Sequence, residues 1–253
     1  MDITATVLIG GVIGLSSGMF GIGGALLATP MLSLWLGLLP KIAVASPLPA
    51  AIPSAISGSI AYGRKGLIRF DTAWRLLLPA IPMTVVGAYV NDLSSDSVLL
   101  VGTGIVLSYS AWTFLRRGLR NDVSAAPRSD AASPRFGAAA FGAGAFAGFL
   151  SGFLAIGGGI VMVPLLIRIV GMETKEAIAT SLFCVAALAA PGVVVHAMSD
   201  HIDWGVALTL AAVVVPFSYL GARIATRLAN RTLEIAYGSA MLIFALYFIV
   251  RNL

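Results

Sequence analysis

The chain has 253 residues, of which 58% are hydrophobic and 11% are charged, whereas a soluble domain carries about 25% charged residues. Its 28 glycines and 12 prolines lie within long apolar runs, where membrane helices tolerate them. This composition excludes a water-soluble domain and predicts an all-α polytopic membrane protein in a lipid bilayer. The net charge of +5 does not indicate a nucleic-acid partner, because the basic residues cluster at the ends of apolar segments, as membrane topology requires.

Eight apolar runs follow one another along the chain. The first and fifth are too long for one crossing, which takes about 20 residues. The first run has no basic region before it, so we expect it to remain in the mature protein rather than to be removed as a signal peptide. The runs cover approximately residues 3–36, 42–62, 72–90, 97–115, 136–170, 176–197, 204–222 and 232–250.

A polar stretch at residues 116–135 divides the chain nearly in half, and its mixture of Ser, Ala, Pro and charged residues is typical of a linker. The two halves, residues 1–115 and 136–253, match at a constant offset of 134 residues, which indicates an internal repeat. The matches include Ser17-Gly18 with Ser151-Gly152, Gly23-Gly24 with Gly157-Gly158, Pro30 with Pro164, Lys41 with Lys175, and Gly87-Ala88 with Gly221-Ala222.

The charges of the loops predict that the two repeats have inverted topology. Residues 63–69 are basic where their counterparts, residues 199–203, are acidic, and the next pair of loops reverses this contrast. Inversion requires an odd number of crossings per half, so each half is predicted to be a broken or re-entrant helical hairpin followed by three transmembrane helices. This topology places 14 basic residues and the linker in the cytoplasm, with only Lys41, Arg251 and both termini outside, whereas eight single crossings give at best 10 to 6.

Each hairpin is predicted to break at clustered glycines, at residues 21–25 and 155–159. Non-helical backbone at membrane depth is tolerated where it lines a cavity, and a broken helix directs its free N–H groups at an anion. The predicted substrate-binding residues of the breaks are Ser17, Gly23, Gly24, Ser151, Gly157, Gly158 and Gly159. The alternative is close helix packing, which fits Gly10, Gly14, Gly18, Gly144, Gly148 and Gly152 well.

The segment after each hairpin supplies further candidates, namely Ser46 in the first half and Thr180 and Ser181 in the second. Their hydroxyl groups can donate hydrogen bonds to an oxyanion. Alternatively, they satisfy backbone groups of their own helix.

Ionisable residues offer few other sites. Asp71, Arg75, Asp92, Arg168 and Glu234 fall near segment ends, where we expect them to reach the interface, so no buried carboxylate is expected to carry protons. His196 is expected to be interfacial rather than a proton relay. We expect no cofactor and no metal site, and the single Cys184 excludes an internal disulfide. A sodium or proton coupling ion remains open.

The repeated Ser-Gly-x-x-Gly/Ala-Ile-Gly-Gly-Gly/Ala…Pro pattern at 17–30 and 151–164, with Ala-Ile-Ala-Thr-Ser-Leu-Phe at 177–183, resembles the sulfite exporter TauE/SafE family over essentially the whole chain. The resemblance implies transport of sulfur-containing or organic anions, such as sulfite, sulfoacetate, sulfate or thiosulfate, across the bacterial inner membrane. Ser46-Pro47 departs from the Thr-Ser of the pattern, so the halves need not contribute equally.

The sequence thus favours a secondary transporter, most simply an exporter, of a small anion. An anion channel of the same architecture is the alternative. We expect no enzyme, because HExxH, GxSxG and paired intramembrane carboxylates are missing. The identity of the anion, the direction of transport and the oligomeric state do not follow from the sequence.

Overall fold

The computed structural model describes residues 3–24, 27–29, 31–32, 37–120, 134–155 and 157–252. Pro30, two residues beside the glycine breaks (Ala25 and Ile156) and residues 121–133 of the predicted linker lie outside these ranges. Within them, the regular elements are α-helices. The helices with described bounds are α1 (Ile3–Phe20), α2 (Pro40–Ala45), α3 (Leu48–Gly63), α4 (Phe70–Leu93), α5 (Asp96–Arg120), α6 (Pro134–Phe153), α7 (Gly159–Arg168), α8 (Thr174–Met198), α9 (Trp204–Arg227) and α10 (Asn230–Asn252).

Four stretches of helix are long and apolar enough to cross a membrane, namely Lys41–Gly63, Phe70–Leu93, Thr174–Met198 and Trp204–Arg227. Large apolar side chains are exposed on the outer faces of the bundle. They include Trp74, Leu78, Ile105, Trp112 and Leu208. Because so extensive an apolar exterior suits lipid rather than water, the structure confirms the predicted all-α polytopic membrane fold.

The helix bounds repeat at the offset found in the sequence. Helix α4 begins at Phe70 and ends at Leu93, and α9 begins and ends 134 residues later, at Trp204 and Arg227. The packing repeats as well, since α1 lies against α9 and α6 lies against α4.

Glycines permit these two helix pairs to approach closely. A Cβ atom at Gly18 of α1 would lie 1.9 Å from the carbonyl oxygen of Ser218, and one at Gly152 of α6 would lie 1.9 Å from that of Thr84. The neighbouring glycines, Gly10, Gly14, Gly144 and Gly148, would also place a Cβ within 3 Å of the opposite helix. The small-residue packing expected for these six glycines is therefore confirmed.

The loops gather at two ends of the bundle, which we name the basic end and the acidic end. At the basic end, the loop before α4 meets the start of α8, where Arg69 pairs with Glu176 at 3.0 Å. At the acidic end, the last turn of α4 meets the loop after α8, where the hydroxyl of Ser199 donates to Asp92 over 3.0 Å.

The two hairpins begin at opposite ends. Helix α1 runs parallel to α9, which starts at the acidic end, and the chain is again at that end at Ser46, whose side chain bonds the loop before α9. Helix α6 runs parallel to α4, which starts at the basic end, and α7 leads back to the start of α8 at the same end. The hairpins therefore approach each other inside the bundle. Their orientation across a bilayer, and the inverted repeat as a topology, stay predictions.

Candidate functional site

Both predicted glycine breaks leave the helical conformation. Helix α1 ends at Phe20, and Gly21, Gly23 and Gly24 follow with φ of 69°, 70° and 80°. In the second half, Gly157 and Gly158 have φ of 71° and 78° immediately before α7. L-residues with a side chain are strained in this left-handed region, which is why glycine is required at these positions.

The two breaks contact each other directly. A Cβ atom at Gly159 would lie 2.2 Å from the carbonyl oxygen of Gly21 and 2.7 Å from the Cα atom of Ile22. The middle of α8 lies against both breaks, because Val185 Cγ1 would be 2.7 Å from a Cβ at Gly23 and 3.5 Å from one at Gly157. The candidate site is therefore formed by two backbone segments and one face of α8.

Ser181 is the hydroxyl residue that connects the breaks. It is fully buried in α8, and its Oγ lies 3.3 Å from the carbonyl oxygen of Gly21 and 3.4 Å from that of Gly159. One hydroxyl proton can serve only one of these acceptors at a time, and both distances are long for O–H···O. The Ser181 hydroxyl can therefore turn toward a better acceptor at modest cost.

Ser17 and Ser151 occupy equivalent positions beside their own breaks. The Cβ atom of Ser17 lies 3.4 Å from a Cβ built at Gly24, and that of Ser151 lies 3.0 Å from one built at Gly158. Both serines are buried. The Ser17 hydroxyl also bonds that of Ser54 at 2.9 Å, which links the first break to α3.

Ser46 and Thr180 direct their oxygens elsewhere. The Oγ of Ser46 accepts from the backbone N–H of Asp203 at 2.9 Å, and the Oγ1 of Thr180 accepts from that of Arg69 at 3.0 Å. Asp203 and Arg69 are the residues immediately before α9 and α4. Each hydroxyl thus satisfies a backbone group of the other half, rather than of its own helix. A substrate role for these two residues stays a prediction.

The second break presents a helix N-terminus to the interior. Gly158 precedes α7 and forms no side-chain cap, and α7 is 10 residues long. The first N–H groups of a helix lack partners within it, and the helix dipole adds a partial positive charge there. This end of α7 is suited to a buried anion.

Glu234 corrects our expectation that the ionisable residues reach the interface and that no buried carboxylate is present. Its side chain is 0% exposed, accepts from the hydroxyl of Thr174 and lies 3.5 Å from Arg117 Nε. The sequence placed it correctly near a segment end, but α10 turns it toward α5 and the start of α8. Only the facing Arg117 could have indicated this burial.

His196 is likewise buried. It lies in the last turn of α8, as an interfacial residue would, but only 2% of its surface is exposed because Asp92 and His201 cover it.

A separate cavity of about 400 Å³ lies among α5, α6 and α7, and its lining is almost entirely apolar. The predicted substrate-binding residues do not line it. Its lining includes Ile105, Phe146, Leu150, Val161, Pro164 and Ile169.

These features define a helical membrane protein whose interior is built from two broken hairpins. The description sulfite exporter TauE/SafE matches residues 6–248, and the chain belongs to this family. It is similar to probable membrane transporter protein YunE of Bacillus subtilis (strain 168), with 26% identity covering 92% of this chain and 90% of that protein. It is also similar to a probable membrane transporter protein of Xylella fastidiosa (strain Temecula1), with 28% identity covering 99% and 96%. No solved structure matches the chain. The protein is a membrane transporter by family.

Proposed function

We propose that the protein is a secondary transporter that exports a small sulfur-containing or organic anion, such as sulfite, sulfoacetate or another sulfonate or oxyanion, across the bacterial inner membrane. The observation that carries this proposal is the meeting of two glycine breaks around Ser181 in the buried interior. The family and its relatives support transport, and the chemistry of the breaks supports an anion.

Backbone groups and hydroxyls would bind the anion without a fixed cation. The N-terminus of α7 supplies N–H donors and a partial positive charge, and Ser17, Ser151 and Ser181 supply hydroxyl donors nearby. A site of neutral donors binds an oxyanion weakly enough to release it, as a transporter must.

The contact between the breaks supports alternating access rather than a channel. Gly159 and Gly21 are packed so closely that a methyl group would not fit between them, so an anion passes only when the hairpins separate. Since the hairpins begin at opposite ends of the bundle, moving one opens the site toward one side. Under this proposal residues 1–115 and 136–253 are inverted repeats, residues 116–135 are a cytoplasmic linker and both termini are periplasmic.

The coupling ion in this proposal is sodium or a proton. Glu234 is a candidate proton carrier, because its carboxylate is buried and its Oε2 has no hydrogen-bond partner among the described residues.

The proposal is tested with purified protein in proteoliposomes, using a panel of sulfite, sulfate, thiosulfate, sulfoacetate, taurine and simple carboxylates with and without sodium at two pH values. We expect saturable flux and counterflow exchange with one class of sulfur anion, together with a selective rise in the unfolding temperature on binding. Non-saturating flux without counterflow would establish a channel instead. No flux of any of these anions by folded protein would refute the substrate class.

A further inference from the structure

Both histidines of the chain, His196 and His201, come together with Asp92 at the acidic end of the bundle, and we name these three residues the His-Asp cluster. Each offers one ligand atom, and these atoms lie within 4.8 Å of one another. The Nδ1 of His201 lies 3.6 Å from the Oδ1 of Asp92. The three residues come from two segments, the end of α4 and the end of α8 with its loop.

A local turn brings the two histidines together. Asp200 follows α8 with φ of 54°, and its N–H donates to the carbonyl of Ala197 at 3.3 Å. The next N–H, that of His201, donates to the carbonyl of His196 at 3.0 Å. This pair of bonds is the Schellman arrangement that ends a helix, and it folds His201 back beside the last turn of α8.

The cluster contains buried polar atoms that no protein group satisfies. Neither ring nitrogen of His196 has a hydrogen-bond partner, although the residue is 2% exposed, and Asp92 Oδ1 is buried without one. An unsatisfied buried polar atom costs about 1–3 kcal/mol. A metal ion would satisfy these atoms together, since imidazole and carboxylate are both zinc ligands.

We propose that Asp92, His196 and His201 bind a divalent transition-metal ion of the zinc type, which ties the end of α4 to the end of α8. With bonds of about 2.0–2.2 Å, tetrahedral ligand atoms lie about 3.3 Å apart, so the cluster closes on an ion by side-chain movements of about 1 Å. Three protein ligands leave one position for water. The side chains of Asp92 and His201 are 25% and 21% exposed, which gives an ion access from the acidic end.

The surroundings also suit a cation. The second carboxylate oxygen of Asp92 accepts from Ser199 at 3.0 Å, as outer-shell partners commonly hold metal-bound carboxylates. Asp200 and Asp203 add negative charge in the same loop. This inference revises our expectation from the sequence that the chain has no metal site, and it is independent of the proposed transport.

The test uses the full chain, purified in detergent and stripped with a chelator. We expect zinc to bind with one ion per chain and to raise the unfolding temperature, and cobalt, used as a probe, to give a visible ligand-field spectrum. Magnesium should do neither, because it prefers oxygen ligands. Absence of both the zinc-dependent shift and the cobalt spectrum in the unmodified protein would overturn the proposal, and this readout depends on no variant.

Variants then assign the ligands. His201→Asn and Asp92→Asn should weaken zinc binding by at least about 10-fold, since even loss of an outer-shell partner costs 10- to 100-fold. Asp200→Asn is the matched control, because it removes an exposed carboxylate from the same turn and asparagine tolerates the left-handed conformation. If Asp200→Asn weakens zinc as much as His201→Asn does, the effect is general electrostatics and the assigned site is wrong.

Discussion

The hydroxyl oxygen of Ser46 accepts a hydrogen bond from the backbone N–H of Asp203 at 2.9 Å, across the boundary between the two halves of the chain. The same bond occurs 134 residues away in each partner, where Thr180 accepts from Arg69 at 3.0 Å. Each half therefore holds the start of a helix in the other half, α9 in one case and α4 in the other.

We expect Thr180→Val to lower the free energy of unfolding by about 1 kcal/mol, because the N–H of Arg69 loses its acceptor. Thr180→Ser keeps the oxygen and should retain stability. Thermal unfolding with and without the transported anion separates the two roles of Thr180. A Thr180→Val protein of normal stability that no longer responds to the anion would instead place Thr180 in the substrate site.

We expect Gly159→Ala to abolish transport, because its Cβ would lie 2.2 Å from the carbonyl oxygen of Gly21 and force the breaks apart. Gly142→Ala is the control in the adjacent helix α6, where a Cβ meets no atom within 4 Å. Initial rates in proteoliposomes are compared at equal amounts of folded protein. Normal rates in Gly159→Ala would show that the contact between the breaks is dispensable.

We expect Ser181→Ala to leave the fold intact and to reduce anion affinity about 10-fold, which corresponds to one lost hydrogen bond of about 1.4 kcal/mol. The existing bonds of Ser181 are long, so little stability depends on them. The control is Thr209→Val, whose hydroxyl bonds a carbonyl of its own helix α9. Unchanged anion affinity in Ser181→Ala would exclude Ser181 from the site.

We expect Glu234→Gln to lower the unfolding free energy by about 3 kcal/mol, because it leaves the guanidinium of Arg117 partly buried without its counterion. If Glu234 carries the coupling proton, the remaining folded protein also loses acceleration by a pH gradient. Retained acceleration would assign the coupling to sodium or to another group. Exchange of anion for anion should persist in either case and shows that the variant still binds substrate.

The sequence predicted the membrane class and the glycine breaks because both have strong local signals. Clustered glycine at Gly23-Gly24 and Gly157-Gly158 has a direct conformational meaning, and the structure gives all four a positive φ. It could not predict where Ser46 and Thr180 direct their oxygens, since that depends on loops more than 100 residues away.

The buried polar groups were missed for a related reason. Glu234 and His196 lie near helix ends, and position along a helix does not reveal which side faces protein and which faces lipid. The turn that folds His201 back toward His196 has Asp200 in the left-handed conformation where glycine is the usual signal. Nothing local therefore distinguished it from an ordinary polar loop.

The pairing of α1 with α9 has a consequence for how the protein is made. The three glycines of α1 face a helix that begins at Trp204, so the first helix to leave the ribosome lacks its partner until four-fifths of the chain has been synthesised. Domains usually fold as units from the N-terminus during synthesis, but here the first helix must wait in the bilayer or the translocation machinery. The N-terminal half produced alone should be degraded, and co-production of the C-terminal half as a separate chain should rescue it.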